Sequence, residues 1–250
     1  MLTQERYSVI LNYLENKKAA TVLELAELLD TSESTIRRDL TALHNEGKLR
    51  KVHGGATALP GSYRVSEPAV SEKYGMNAGQ KKRIARYAAS LIRGNEFVYL
   101  DAGTTTEAMA EYIQEKNAVY VTNGIYLAKK LAQRSFQVFV PAGRIKGITE
   151  AITGNEAVSC LQRFHFTKGF FGANGVHLSH GFTTPDVDEA RTKTEALRRC
   201  RERFVLADES KFGLYSSVSF ASLSEAEIIT TLLADKDYLK YTSIREVDRT

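Results

Sequence analysis

The sequence predicts an α/β chain in two parts: a small helical domain with a basic β-ribbon, then a larger domain of alternating strands and helices. Three observations carry that prediction. Between Tyr7 and Leu43 apolar residues recur at i, i+3, i+4 and i+7, the spacing of short amphipathic helices. Beyond Met76 short apolar runs alternate with helical stripes, the pattern of a mostly parallel sheet covered on both faces. The 250 residues, 43% hydrophobic and 26% charged, suit a soluble chain of one large domain or of a small domain plus a medium one.

Tyr7, Ile10, Leu11 and Leu14 form the stripe of a first helix that ends near 16–18. A second opens at Thr21, whose hydroxyl caps it while Glu24 reaches back, with Val22, Leu25, Ala26 and Leu29 as its inner face. Asp30 and Thr31 turn the chain, Thr31 or Ser32 caps a third helix, and Ile36, Leu40 and Leu43 line it until Gly47 stops it. The run Lys48-Leu-Arg-Lys-Val-His-Gly-Gly55 reads as a basic ribbon ending in glycines. Two close helices and a short turn make a helix-turn-helix, and the ribbon behind them is the wing of a winged helix.

At ~100° per residue, Ser34, Arg38, Thr41 and Asn45 point away from Ile36, with Arg37 and His44 on one flank. That face is hydrogen-bonding and cationic. The net charge is only +4, so attraction to an anionic partner must come from this local clustering. The candidate DNA contacts are Ser32, Ser34, Thr35, Arg37, Arg38, Thr41, Lys48, Arg50, Lys51 and His53. Asp39 lies nearer the core and is structural, since phosphate would repel it.

Ser32-Glu-Ser-Thr-Ile-Arg-Arg-Asp-Leu40, then Leu43, Glu46-Gly47, Leu49 and Val52-His-Gly-Gly-Ala56, resemble the signature of the DeoR family of bacterial transcription regulators. The division expected is 1–57 for the DNA-binding domain, 58–75 for a linker without periodicity, and 76–250 for the second domain. In that domain helices are expected around 84–92, 105–112, 125–131, 156–161 and 187–200. Strands are expected at 97–100, 119–121, 136–140, 168–171, 204–207 and 227–231. Ligands in such sheets bind at the carboxyl ends of the strands.

Those ends carry polar residues. Leu100-Asp-Ala-Gly-Thr-Thr-Thr106 runs a strand into a helix through a small-residue loop, where backbone N–H groups and three hydroxyls make a phosphate cradle. The same threonines also fit a simple helix cap. The loop is neither a Walker nor a dinucleotide loop, and no cofactor is expected. Thr122-Asn-Gly124, Pro141-Ala-Gly-Arg144 and Ala207-Asp-Glu-Ser-Lys211 follow other strands and together suit a polyol phosphate. Backbone N–H groups and lysine would take the phosphate, Asp101 and Asn123 the hydroxyls. The candidate effector residues are Asp101, Gly103, Thr104, Thr105, Thr106, Thr122, Asn123, Gly143, Arg144, Asn174, Lys193 and Lys211.

These stretches, with Gly172-Ala-Asn-Gly175, resemble the effector domain of the DeoR family, itself similar in fold to ribose-5-phosphate isomerases. The resemblance implies a repressor of sugar catabolism genes that binds operator DNA and answers to a phosphorylated sugar. Fructose 1-phosphate, fructose 6-phosphate and tagatose phosphates are the candidates. It also implies self-association to a dimer or tetramer, since one winged helix spans a single half-site. The isomerases place carboxylates in a D-G-A-D turn where this chain has Gly172-Ala-Asn174-Gly175, so no enzyme is expected.

Two other readings stand beside this one. A sugar-phosphate isomerase with an appended module would draw a base from Asp186, Asp188 or Glu189 near Lys193, residues that also fit the acidic start of a helix. A winged helix that binds protein rather than DNA is the other. Cys160 and Cys200 form no disulfide framework, and no apolar run reaches the ~18 residues of a membrane span, so a cytoplasmic protein away from membranes is expected. His165, His177 and His180 lack metal-ligand spacing and read as loop residues.

Overall fold

The computed structural model describes residues 3–46, 48–58, 63–64 and 70–247. The expected helix stop at Gly47 and the linker stretches 59–62 and 65–69 lie outside the described residues. Among the described residues no helix is long and apolar enough to cross a membrane.

The first unit runs α1 (Thr3–Lys17), β1 (Ala19–Thr21), α2 (Val22–Leu28), α3 (Glu33–Asn45), β2 (Arg50–Val52) and β3 (Gly55–Thr57). The capping box at Thr21 and Glu24 starts α2, and Ser32 Oγ accepts the Thr35 N–H at 3.3 Å to start α3. Ile10, Leu25, Ile36, Leu40 and Leu49 are buried between the three helices and the ribbon. Asp39, 2% exposed, accepts from Arg6 Nε at 2.8 Å and Nη2 at 3.2 Å, which ties α3 to α1. The ribbon gains a strand that the sequence did not signal. β1 pairs antiparallel with β3, giving the order β1-β3-β2. Gly55 opens β3 rather than ending the ribbon, and His53 and Gly54 make the turn, with Gly54 at φ +79°. A Cβ on Gly55 would sit 2.1 Å from the Ala20 carbonyl oxygen, so the close approach of β1 requires glycine there.

The second unit opens inside the stretch expected as linker. β4 (Tyr63–Arg64) pairs in parallel with a later strand, and α4 (Val70–Gly75) follows as a short helix. Then follow α5 (Ala78–Ser90), β5 (Phe97–Leu100), α6 (Thr104–Ala108), β6 (Val119–Thr122), α7 (Ile125–Gln133) and β7 (Gln137–Phe139). A hairpin of β8 (Arg144–Lys146) and β9 (Ala151–Thr153) leads to α8 (Asn155–Leu161) and β10 (Phe166–Gly172). β11 (Gly175–His177), β12 (Gly181–Thr184), α9 (Val187–Arg198), β13 (Cys200–Leu206), β14 (Tyr215–Ser216), β15 (Val218–Ala221), β16 (Glu227–Thr230) and β17 (Ile244–Glu246) complete it.

Among the described residues seven parallel strands form one sheet in the order β17-β16-β13-β10-β5-β6-β7. Its strands are apolar on both faces because both are covered. Val98 and Leu100 face the core under α5 and α7, while Tyr99 between them faces the core under α8 and α9. From β5 the chain winds outward through β6 and β7, then crosses to β10 on the other side and continues to β13. The crevice at the carboxyl ends of β5 and β10 is therefore the switch point of the sheet.

Candidate functional site

Two sites emerge, one in each unit. On α3 the outward side chains stand as the helical spacing places them. Arg38 is exposed and makes no ion pair or hydrogen bond with a described residue. Arg50 and His53 on the wing are likewise exposed. Other expected contacts are engaged within the domain. Arg37 pairs with Glu33 at 2.5 Å and Lys48 with Glu46 at 2.7 Å, both exposed pairs that a phosphate can replace. Lys51 Nζ donates to Thr41 Oγ1 at 2.7 Å, and that hydroxyl donates to the Arg37 carbonyl at 2.7 Å, so the wing is latched to α3. Ser32 Oγ lies 2.9 Å from both Ser34 Oγ and Thr35 Oγ1, a hydroxyl cluster at the start of α3. Asn45 and His44 are exposed, and His44 Nδ1 lies 3.2 Å from the Leu49 carbonyl oxygen.

The second site is a cleft at the switch point. Gly103, Thr104 and Thr105 line it after β5, Asn174 after β10, Lys211 after β13, and Lys193 from α9. Lys193 Nζ donates to Asp101 Oδ2 and, at 3.3 Å, to the Gly172 carbonyl. The Gly172 N–H donates to the same Asp101 oxygen at 2.9 Å. Asp101 is thus a buried partner of Lys193 rather than a free acceptor for sugar hydroxyls. Burial pushes its carboxyl up, while Lys193 and the Gly172 N–H pull it down. Its Oδ1 is buried without a hydrogen-bond partner among the described residues.

Besides Asp101, five expected effector residues are committed elsewhere and do not line the cleft. Thr106 Oγ1 donates to the Gly103 carbonyl at 2.7 Å and Thr122 Oγ1 accepts the Gly124 N–H at 3.0 Å. Asn123 is 2% exposed; its Oδ1 accepts from the Ala102 N–H at 2.9 Å and Tyr99 Oη at 3.0 Å, so it fixes the loop from behind. Arg144 is exposed and pairs with Asp188 at 3.3 Å. Gly143 is a packing residue, since a Cβ there would lie 2.7 Å from the Thr153 carbonyl oxygen.

Other residues lining the cleft lie outside the candidate effector set. Asn77 Nδ2 donates to Asp208 Oδ1 at 2.9 Å, and Asp208 caps the turn that presents Lys211 by accepting from the Ser210 N–H at 3.0 Å. Lys81 lines it from α5. Glu189, weighed as a helix-start residue or a base, faces the cleft while accepting from Thr149 Oγ1 at 2.7 Å and Lys146 Nζ at 3.0 Å. Asp186 caps α9 through the Glu189 N–H at 2.8 Å. Elsewhere the His177 and His180 rings lie 4.8 Å apart against Tyr215, and burial holds the His177 imidazole below its usual value. Among the described residues no three His, Cys, Asp or Glu side chains gather as metal ligands.

A winged helix-turn-helix in front of an α/β domain with a polar cleft at its switch point is the build of a DNA-binding regulator with its own sensor. The chain belongs to the DeoR family: residues 6–60 match the DeoR-like helix-turn-helix domain and residues 76–232 the DeoR C terminal sensor domain. It is similar to the HTH-type transcriptional regulator FruR of Bacillus subtilis, 41% identical over 247 residues that cover 98% of this chain and 96% of that one. It is also similar to the lactose phosphotransferase system repressor of Streptococcus mutans, 33% identical with 98% and 99% covered. Among solved structures it is similar to ribose 5-phosphate isomerase A of Methanocaldococcus jannaschii, 16% identical at a TM-score of 0.39. The match covers 54% of this chain and 55% of that one, about half the isomerase's length.

Proposed function

We propose that the chain is a repressor of sugar catabolism genes, acting in the cytoplasm, whose hold on operator DNA is governed by a phosphorylated sugar in the switch-point cleft. The observation that carries this is the convergence of Gly103, Thr104, Thr105, Asn174, Lys193 and Lys211 on one cleft. Backbone N–H groups, hydroxyls and two ammonium groups suit a phosphate, and Glu189 with Asn174 suits sugar hydroxyls. Among phosphorylated sugars we favour fructose 1-phosphate, fructose 6-phosphate or a tagatose phosphate, in keeping with a relative named as a lactose phosphotransferase system repressor. Residues 1–57 would read the DNA and 76–250 the sugar, with α4 and β4 tying the intervening stretch to the sensor.

In this reading the cleft binds without turnover. Asp101 is held by Lys193, Glu189 by Lys146 and Thr149, and the turn after β10 carries Asn174 in place of a carboxylate. The operator-binding unit is at least a dimer. β7 ends the sheet with Phe139 49% exposed and Val140 beside it 49% exposed, whereas the opposite edge, β17, carries Arg245 paired with Glu227. A thermal-shift panel of sugar phosphates on the full chain tests the proposal, because a ligand at a hundredfold its Kd adds about 2.7 kcal/mol. A compound that raises the melting temperature must also change operator binding. Stabilisation with unchanged operator binding, or turnover of the compound, would sink the regulatory reading.

A further inference from the structure

The two loops that carry Asn174 and Lys211 into the cleft run on into one small layer behind it. β11 begins at Gly175, directly after Asn174, and pairs antiparallel with β12. The chain from Lys211 to β14 is laid along β11: the Gly213 N–H donates to the Val176 carbonyl at 2.9 Å, and a Cβ on Gly175 would overlap the Leu214 carbonyl oxygen. Backbone stands against backbone there, and a close-packed contact of that kind transmits a displacement instead of absorbing it. β14 in turn pairs in parallel with β4, the sensor's hold on the chain that leads from the winged helix.

Thr183 of β12 lies where these pieces meet. It is 0% exposed, and its carbonyl accepts the Asn174 N–H at 2.9 Å. Its Oγ1 accepts the Ser216 N–H of β14 at 2.9 Å and donates to the Gly175 carbonyl at 3.3 Å. The hydroxyl thus uses its one proton on β11 and a lone pair on β14. The pairing of β12 with β15 shifts register between Phe182 and Thr183, an irregularity of the kind that re-aims a side chain. Valine has nearly the shape of threonine and would fill the same space, so packing alone does not call for a hydroxyl at this position.

Resting on the reading of the cleft as the effector site, we propose that Thr183 is the positioning residue that couples the cleft to the DNA-binding unit. Its hydroxyl sets β14, and through it β4, to the position of the loop that carries Asn174. Occupancy of the cleft is then read out as a change in how β4 is held, and the ligand's differential affinity for the two arrangements shifts operator binding.

The test uses the full-length protein and whichever of inorganic phosphate and the sugar phosphates named above raises the wild-type melting temperature most. Operator affinity is measured with and without that compound at saturation, and the compound's affinity by calorimetry without DNA. The wild type should show a coupling factor of about tenfold; in Thr183→Val it should fall below about twofold while each affinity measured alone stays within about threefold of wild type. Thr183→Ser keeps the hydroxyl and should keep the wild-type factor. A factor retained in Thr183→Val, lost equally in Thr183→Ser, or lost together with the compound's own affinity overturns the inference and leaves the cleft reading standing. Amide exchange on the wild type needs no variant to fold: saturation should alter the rate over 215–216 by about threefold or more, and an unchanged rate overturns the inference. If no compound, inorganic phosphate included, shifts the wild-type melting temperature, the cleft reading fails and this inference with it.

Discussion

Arg38 has its guanidinium free on the outer face of α3, whereas Lys51 already spends one N–H on Thr41. Arg38→Ala should therefore cost ~1–3 kcal/mol on operator DNA, relax preference at one base position and leave random DNA almost unaffected. Lys51→Ala should weaken operator and random DNA alike and shallow the salt dependence by about one unit of slope. Competition titrations at several salt concentrations separate the two; equal losses on both DNAs for Arg38→Ala would remove it as the reader. Within the cleft, Thr105→Leu should abolish the response to sugar phosphate while operator binding persists, read by mobility shift with and without effector. Glu107 gives a pH signature. Burial raises its carboxyl above the ordinary 4.5, so the folded chain holds a proton that the unfolded chain has lost. Stability therefore falls as pH climbs from 4.5 through the raised value, and Glu107→Gln should gain melting temperature over wild type as pH rises through that window. A gap that is constant or closes with rising pH contradicts this.

At the scale of elements, period carried what could be read from the chain. α1, α2, α3 and α5 announce themselves by apolar stripes and caps, and β5, β6, β10 and β13 by buried runs. β1, β4, β8, β14 and β17 have two or three residues each, too few to show a period, and their existence depends on partners far along the chain. α4 hides for the same reason, since six residues flanked by a proline-bearing stretch look like linker. The cleft was half legible. Gly103, Thr104, Thr105 and Lys211 follow strands in motifs, but Lys81 and Asn77 belong to a helix that precedes the sheet, and only the fold brings them over the strand ends. Thr122 and Asn123 misled because polar residues after a strand also serve to brace a neighbouring loop, as Asn123 does for Ala102. The wing offers a check on the added strand. Gly55→Ala forces its Cβ against the Ala20 carbonyl and should destabilise the first unit by ~1–3 kcal/mol, with operator binding lost before the sensor melts. Calorimetry with a single unchanged transition would show that β1 is dispensable.

For the whole molecule, the proposed dimer would hold two DNA-binding heads on one body. Ile145 and Ile148 of the β8–β9 hairpin are also exposed apolar residues, at 58% and 56%. Phe139→Lys with Ile145→Lys should give a monomer in sedimentation and operator binding reduced to the level of a single half-site; a dimer that persists would place the interface elsewhere. The pairing of β4 with β14 bears on how such an assembly measures DNA. Ala58 is fixed in the winged helix by its N–H bond to the Lys18 carbonyl at 3.0 Å, and Tyr63 is fixed to Tyr215 of the sensor, so only residues 59–62 lie between the two anchors. Five peptide steps reach roughly 18 Å at full stretch. In the proposed dimer each head would lie within about half a DNA turn of its β4, since a full turn advances ~34–36 Å. In the proposed dimer the body would work as a caliper whose jaws are set by the spacing of its β4 strands. An operator whose half-sites are moved by five base pairs turns one of them to the far side of the duplex, which a head anchored within that distance would not reach.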